Sequence, residues 1–162
     1  MIIDSHAHIS SFNLKDKKRL SQIKNELLFN MEKNKIDYCI IIPDNASNSP
    51  CADLETTMAL IENEPRLYMI GTLKITDVNK ANLIRIDRLF QRKFIKGFKI
   101  FPGHDPYYPT DKRWHPVYKL CMEYDLPLII HTGININNKK RAQYNNPKYI
   151  AKIAKMFPKL KI

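Results

Sequence analysis

Two histidines near the start of the chain have the clearest capacity for chemistry. His6 and His8 belong to the segment Ile3–His8, where an apolar run predicts a first strand over residues 1–9. Because residues i and i+2 of a strand point to the same face, the two imidazoles should project together from its carboxyl end. Neutral imidazoles at this spacing are suitable ligands for Zn²⁺ or a similar divalent ion. Two histidines in an arbitrary strand are usually accidental, but strand ends carry the catalytic groups of parallel α/β folds, which favours a metal site.

A third histidine ends another apolar run. The segment Pro127–Ile130 predicts a strand, His131 follows it directly, and Gly133 permits a sharp turn two residues later. An isolated histidine in such a position often packs in the core or bonds to loop backbone. Its place in the same strand-end layer as His6 and His8 favours a functional role for His131 instead.

Lys99 lies near the end of the strand predicted over 95–101, on the same face as Gly97 and Phe101. A lysine inside a barrel is costly unless it meets a carboxylate, a metal-bridging group or an anionic substrate. The alternative is that Lys99 faces outward and extends between helices to reach water. The residues alone leave both positions open.

Two further polar residues could line or support a pocket. His104 follows Pro102 and Gly103 after the same strand and could lie at a pocket mouth, with a surface or capping position as the alternative. Asp4 stands two residues before His6 on the same face, so its carboxylate could orient a metal ligand. A bond from Asp4 to nearby backbone is the simpler alternative.

The elements that must position these residues alternate regularly between strand and helix. A strand with its crossover helix needs about thirty residues, and the pattern predicts five such βα units and the start of a sixth strand. Parallel strands with covering helices follow, either as an open doubly wound sheet or as a barrel. With four glycines and no G-x-G-x-x-G motif, we expect no dinucleotide-binding loop. The predicted strands are 1–9, 37–43, 67–74, 95–101 and 126–131, with 160–162 as the sixth, and the predicted helices are 13–34, 53–64, 79–92, 110–124 and 147–157.

Length and composition predict one globular domain over residues 1–162. The chain is 44% hydrophobic and 27% charged, which differs from the composition of disordered chains. Its apolar runs are far shorter than the about 20 residues that span a bilayer, and no signal peptide is recognisable, so we expect no membrane association. Three cysteines without paired spacing indicate free thiols in a reducing compartment, and hence a cytoplasmic protein.

The net charge of +11 is concentrated near the end of the chain. Residues 126–162 contain basic side chains and no acidic one, a pattern that can bind nucleic acid through phosphate contacts. Aromatic residues are not interleaved with the basic ones in a stacking pattern, and no nucleic-acid motif is present. We therefore expect a solvated helix face rather than nucleic acid as a partner, with an acidic partner surface as the alternative.

Several segments taken together resemble the amidohydrolase superfamily of metal-dependent hydrolases. The branch that they resemble most also holds decarboxylases related to aminocarboxymuconate-semialdehyde decarboxylase. The resemblance covers essentially the whole chain, and the combination of segments is more specific than any one of them. The segments are Asp4–His8, Lys96–Gly103, Tyr108–Asp111 and Leu126–Gly133.

The resemblance implies a TIM-type (β/α)₈ barrel with a mononuclear divalent-metal site, most often zinc. His6 and His8 match the strand-one ligands of the family, and His131 matches the strand-five ligand. A metal-activated water would then attack a small-molecule substrate with a C–N or C–O carbonyl-type bond. Non-oxidative decarboxylation is the alternative reaction. A catalytically inactive partial barrel that needs a partner, such as a second copy in a homo-oligomer, is a further alternative.

The chain matches only part of the family's barrel, which typically takes about 250 residues. The strand-six histidine and the strand-eight aspartate that the family uses lie beyond Ile162. We therefore expect an N-terminal partial barrel that carries metal ligands, while its catalytic acid and base are unknown.

Overall fold

Strands and helices alternate along the chain in the order that the sequence predicts. The computed structural model describes residues 1–10, 17–46, 49–133 and 139–162. These residues form two compact units, Met1–Thr72 and Leu73–Ile162, each described below by itself. The single domain expected over 1–162 stays a prediction. Residues 13–16 of the first predicted helix lie outside the described residues.

The first unit contains three parallel strands. Ile3 lies opposite Tyr38 in the pairing of β1 with β2, and Cys39 lies opposite Leu67 in the pairing of β2 with β3. Burial alternates along the apolar run of β2, with Cys39 and Ile41 buried and Tyr38 and Ile40 half-buried, so one face of the strand is covered more fully than the other. The elements are β1 (Ile3–Ala7), α1 (Lys17–Lys33), β2 (Tyr38–Ile41), α2 (Leu54–Ile61) and β3 (Leu67–Thr72).

Local signals set the helix boundaries in this unit. The Asp53 carboxylate accepts a hydrogen bond from the Thr56 amide at 2.8 Å, which caps the amino end of α2. Lys35 adopts a positive φ of 56° just after α1 and ends that helix. The predicted boundaries at 53 and 34 therefore lie within a residue of the observed helix ends.

The second unit contains two parallel strands, with Lys99 opposite Ile129. Its core is formed by fully buried side chains of β4, α3 and α4, including Phe98, Ile86 and Val117. No helix among the described residues of either unit is long and apolar enough to cross a membrane. The helices and strands are α3 (Lys80–Gln91), β4 (Ile95–Ile100), α4 (His115–Glu123), β5 (Leu128–Ile130) and α5 (Lys148–Met156), and short 3₁₀ turns cover Ile75–Asp77, Lys112–Trp114 and Lys139–Asn145.

The helix predicted over 110–124 is shorter than expected. Asp111 caps a separate 3₁₀ turn by accepting a hydrogen bond from the Arg113 amide at 3.0 Å. The α-helix begins only at His115, with Pro116 in its first turn, where the missing amide of proline costs no hydrogen bond. The prediction took the 3₁₀ turn and the helix as one element because both have helical character.

Among the described residues, the predicted start of a sixth strand makes one backbone hydrogen bond to β5. The Leu128 amide of β5 donates to the Lys161 carbonyl at 2.8 Å, although residues 160–162 form no strand ladder. The Lys161 ammonium also pairs with the Asp125 carboxylate at 2.6 Å. The end of the described chain therefore lies beside β5, where a sixth strand would begin.

The three thiols should differ sharply in reactivity. Burial raises the pKa of Cys39 to about 11, with a smaller contribution from the negative charge of Asp4, and burial raises the pKa of Cys121 to about 12. At about pH 8 these two groups hold almost no thiolate, whereas Cys51 is only half-buried. We expect Ellman's reagent to label Cys51 first in the native protein and the other two thiols only after unfolding. Cys51→Ser should remove the fast phase, and a fast phase that persists in this variant would contradict the burial of the other two thiols.

Candidate functional site

The first unit brings His6 and His8 together at the carboxyl end of β1. Both side chains are exposed, and their ring centroids lie 5.2 Å apart with the ring planes at 67°. Two imidazoles that share one tetrahedral zinc ion stand about 5 Å apart between centroids, since each Zn–N bond is about 2.0–2.1 Å. The pairing expected from the i, i+2 spacing is therefore present, at a separation that suits chelation.

One ring nitrogen of His8 is held by the backbone. Nδ1 lies 2.6 Å from the carbonyl oxygen of Ile42, the residue that follows β2. Because a carbonyl oxygen can only accept, Nδ1 carries the proton, and in the neutral ring the lone pair is then on Nε2. Histidine ligands of metals are typically oriented in this way. His8 thus presents a lone pair in a fixed direction.

Asp4 bonds to the backbone rather than to an imidazole in the contacts observed. Its Oδ1 accepts a hydrogen bond from the His6 amide at 3.1 Å. The pairing register of β1 with β2 shifts between Asp4 and Ala7, so this carboxylate supports the strand where it becomes irregular. The contact corresponds to the simpler of the two roles expected for Asp4.

The second unit brings His104 and His131 together. Their ring centroids are 4.7 Å apart with planes at 82°, and Phe101 packs beside both rings. The His131 amide donates to the Ile100 carbonyl at 3.1 Å, which continues the β4–β5 pairing to the start of the loop. His104 is exposed and His131 half-buried, so the pair lies at the surface of this unit.

Hydrogen bonds from the 3₁₀ turn Lys139–Asn145 hold the loops that carry this pair. The Arg141 guanidinium donates to the His104 carbonyl at 2.7 Å, and the buried Asn145 amide donates to the Gly133 carbonyl at 2.5 Å. Gly103, with φ of 92°, lies against Asn145. Arg141 and Asn145 were not singled out from the sequence, where Arg141 was grouped with the basic face, because contacts over such separations leave no local signal.

Lys99 is buried in the second unit, with only 4% of its surface exposed. Its Nζ lies 5.3 Å from the centroid of the Phe101 ring, and loss of hydration lowers the pKa of the ammonium group. This burial excludes the outward-facing alternative for Lys99. A buried cation thus lies near the carboxyl end of β4.

Within either unit, the described residues hold no group of three or more histidine, cysteine or acidic side chains that could bind a metal by themselves. His6 and His8 belong to the first unit, and His131 belongs to the second. The three-histidine site expected from the family resemblance stays a prediction.

Comparison with known proteins establishes the family. A family model described as amidohydrolase matches residues 3–162, nearly the whole chain. The chain belongs to the amidohydrolase family. A search of curated proteins finds no match.

Solved structures confirm the fold class of this amidohydrolase as a partial TIM-type (β/α)₈ barrel. A 5-carboxyvanillate decarboxylase from Novosphingobium aromaticivorans, in complex with manganese and 4-hydroxy-3-methoxy-5-nitrobenzoic acid, matches with a TM-score of 0.69 and 14% identity over 99% of this chain. A probable 2-pyrone-4,6-dicarboxylic acid hydrolase from Acinetobacter baumannii with bound citric acid has a TM-score of 0.60 and 12% identity over 97% of this chain. The amidohydrolase chain spans 63% and 54% of the lengths of these two proteins.

A third structure extends the likeness. The 5-carboxyvanillate decarboxylase from Sphingomonas paucimobilis matches with a TM-score of 0.60 and 18% identity, over 85% of this chain and 49% of its own. Structural similarity establishes the fold, but sequence identities this low do not establish the reaction. The similar structures include both decarboxylases and a probable hydrolase, so they do not decide between the two expected reactions.

The loop scaffold in the second unit can be tested at two glycines with positive φ. Gly133 has φ of 114°, and no atom of the described residues lies within 4 Å of the place its Cβ would take, so Gly133→Ala should lower the free energy of unfolding by about 1–2 kcal/mol, through backbone strain. A Cβ at Gly103 would lie 2.8 Å from Nδ2 of the buried Asn145, so Gly103→Ala should cost a further about 1–3 kcal/mol. Urea unfolding of both variants measures the difference. Equal losses of unfolding free energy in the two variants would show that the Asn145 side chain moves aside at no cost and does not hold the loop in place.

Proposed function

We propose that this amidohydrolase is metal-dependent and holds one divalent ion through His6, His8 and His131. The observation that carries the proposal is the bond from His8 Nδ1 to the Ile42 carbonyl, which leaves Nε2 as the donor nitrogen. The spacing of the His6 and His8 rings supports it as well. Imidazole donors suit zinc, which is the ion we expect, and manganese is the alternative because a structurally similar decarboxylase contains it.

The chain's own residues would prepare the site for this ion. When bound, the ion would act as a Lewis acid on a carbonyl-type substrate. The Ile42 carbonyl holds the His8 ring in one tautomer, and the Asp4 carboxylate holds the backbone at His6. Lys99 would contribute a buried positive charge, which suits a small-molecule substrate with an anionic group.

Hydrolysis of a C–N or C–O carbonyl-type bond is the first reaction we propose. Non-oxidative decarboxylation is the second, and it is favoured by the likeness to two 5-carboxyvanillate decarboxylases. This chain spans less than two thirds of the length of those proteins, so we state the activity of the whole enzyme only as a proposal. The cytoplasmic location and a homo-oligomeric state also stay predictions.

Metal content tests the ligand assignment directly. Protein stripped with a chelator and reloaded with Zn²⁺ or Mn²⁺ should retain about one ion per chain after dialysis, measured by elemental analysis. His8→Ala should weaken binding by about a hundredfold or more, because loss of a supporting group alone costs about 10–100-fold.

His115→Gln is the matched control, since this histidine packs on Phe157 in the second unit and is not a proposed ligand. It should leave the metal content unchanged. Metal content in His8→Ala equal to that of the unmodified protein would overturn the ligand role of His8.

Product analysis separates the two reactions. The metal-loaded protein would be incubated with small carboxylated aromatics, lactones and amides in water labelled with a heavy isotope of oxygen. Hydrolysis incorporates the label into the organic product, whereas decarboxylation releases carbon dioxide and leaves the organic product unlabelled. The label is therefore read in the organic product alone, because carbon dioxide exchanges its oxygens with water. If a protein with its full metal content produces neither change across the panel, the inactive partial barrel becomes the better interpretation.

A further inference from the structure

The pair formed by His104 and His131 has a geometry that the family resemblance does not account for. The resemblance assigns a ligand role to His131 alone, yet the His104 ring lies at 4.7 Å from it between centroids. This separation is similar to the 5.2 Å between His6 and His8, and close to the about 5 Å expected for two imidazoles on one ion. The second unit therefore contains an imidazole pair of its own.

Backbone hydrogen bonds hold both histidines in place. The His104 amide donates to the Phe101 carbonyl at 3.1 Å, and the His104 carbonyl accepts from Arg141 at 2.7 Å. The His131 amide is held by the Ile100 carbonyl of β4. These bonds fix the main chain at both histidines, so only their side-chain torsions remain to be ordered around an ion, at a smaller cost in conformational entropy.

The surroundings of the pair permit access for an ion. His104 is exposed, so an ion can reach the pair from solvent. The Arg141 guanidinium directs Nη1 at the His104 carbonyl. An edge-on contact between two rings stabilises a fold by only about 0.5–1.5 kcal/mol, so packing alone is a weak explanation for a histidine at this exposed position.

We propose that His104 and His131 bind the same transition-metal ion through one imidazole nitrogen each, so that His104 is a further ligand of the ion that His131 holds. Water would complete the coordination. Two imidazoles favour ions in the order Cu²⁺ over Ni²⁺ and Zn²⁺. The inference shares His131 with the proposed function, so the experiment uses residues that belong to only one of the two proposals.

A Cu²⁺ titration of the double variant His6→Ala/His8→Ala isolates the new site. Calorimetry should show one Cu²⁺ bound per chain, and electron paramagnetic resonance should show coupling to imidazole nitrogen. Adding His104→Gln should weaken Cu²⁺ binding about tenfold or more and reduce the nitrogen coupling. Adding His115→Gln instead should change neither, because His115 contacts Tyr118 and Phe157.

Two results would overturn the inference. One is identical Cu²⁺ binding with and without His104→Gln, and the other is loss of Cu²⁺ from the double variant while His104 and His131 are intact. In the second case the metal needs His6 and His8, so the proposed function would survive. Conversely, unchanged metal content in His8→Ala would leave the His104 site standing.

A chemical measurement on the unmodified protein avoids dependence on variant folding. Diethyl pyrocarbonate acylates accessible imidazoles, and peptide mapping by mass spectrometry reports each histidine separately. Bound Zn²⁺ or Cu²⁺ should slow the modification of His104 several-fold and leave that of His115 unchanged. Equal modification of His104 with and without saturating metal would refute its role as a ligand.

Discussion

Parallel pairing within each unit is the constraint on which the placement of every candidate residue depends. Parallel strands bring their carboxyl ends to the same edge, so side chains at the ends of neighbouring strands become neighbours in space. His8 follows β1 and meets the carbonyl that follows β2. His104 and His131 follow β4 and β5 and meet each other. In both units the chemistry is gathered by strand direction rather than by proximity in sequence.

Backbone carbonyls at these strand ends do most of the orienting. The Ile42 carbonyl selects the tautomer of His8, and the Ile100 carbonyl holds the amide of His131. The Ile42 carbonyl lies just beyond β2 and accepts from the His8 side chain, which fixes the direction of that ring. The Ile100 carbonyl continues the β4–β5 pairing and fixes the main chain at His131. Each carbonyl would be costly to bury without a partner.

Lys99 places an ionisable group, which is costly to bury, inside the second unit. Burial of the side chain lowers the pKa of the ammonium group because the charged form loses hydration. A negative charge that came close to the ammonium group would raise this pKa again, because it would stabilise the charged form.

Much of the fold could be predicted because its signals are local. Asp53 and Asn79 each accept an amide hydrogen bond at the start of a helix, as side chains of their type do, and the apolar run 38–41 forms a strand whose alternate residues are buried. The boundary error at 110–124 arose because a capped 3₁₀ turn and the following helix share the same local pattern. The adjacency of His6 and His8 was predictable for the same local reason, namely the two-residue period of a strand.

The sequence by itself determined the alternation of strands and helices, the family, and the histidines with ligand chemistry, because residue type and periodicity are properties of short segments. Tertiary structure alone decided that His8 bonds to Ile42 and that Lys99 is buried. It also brought Arg141 and Asn145 onto the loops after β4 and β5. These contacts join segments far apart in the chain, and their partners are largely backbone atoms, which every residue carries and which therefore leave no mark in the sequence.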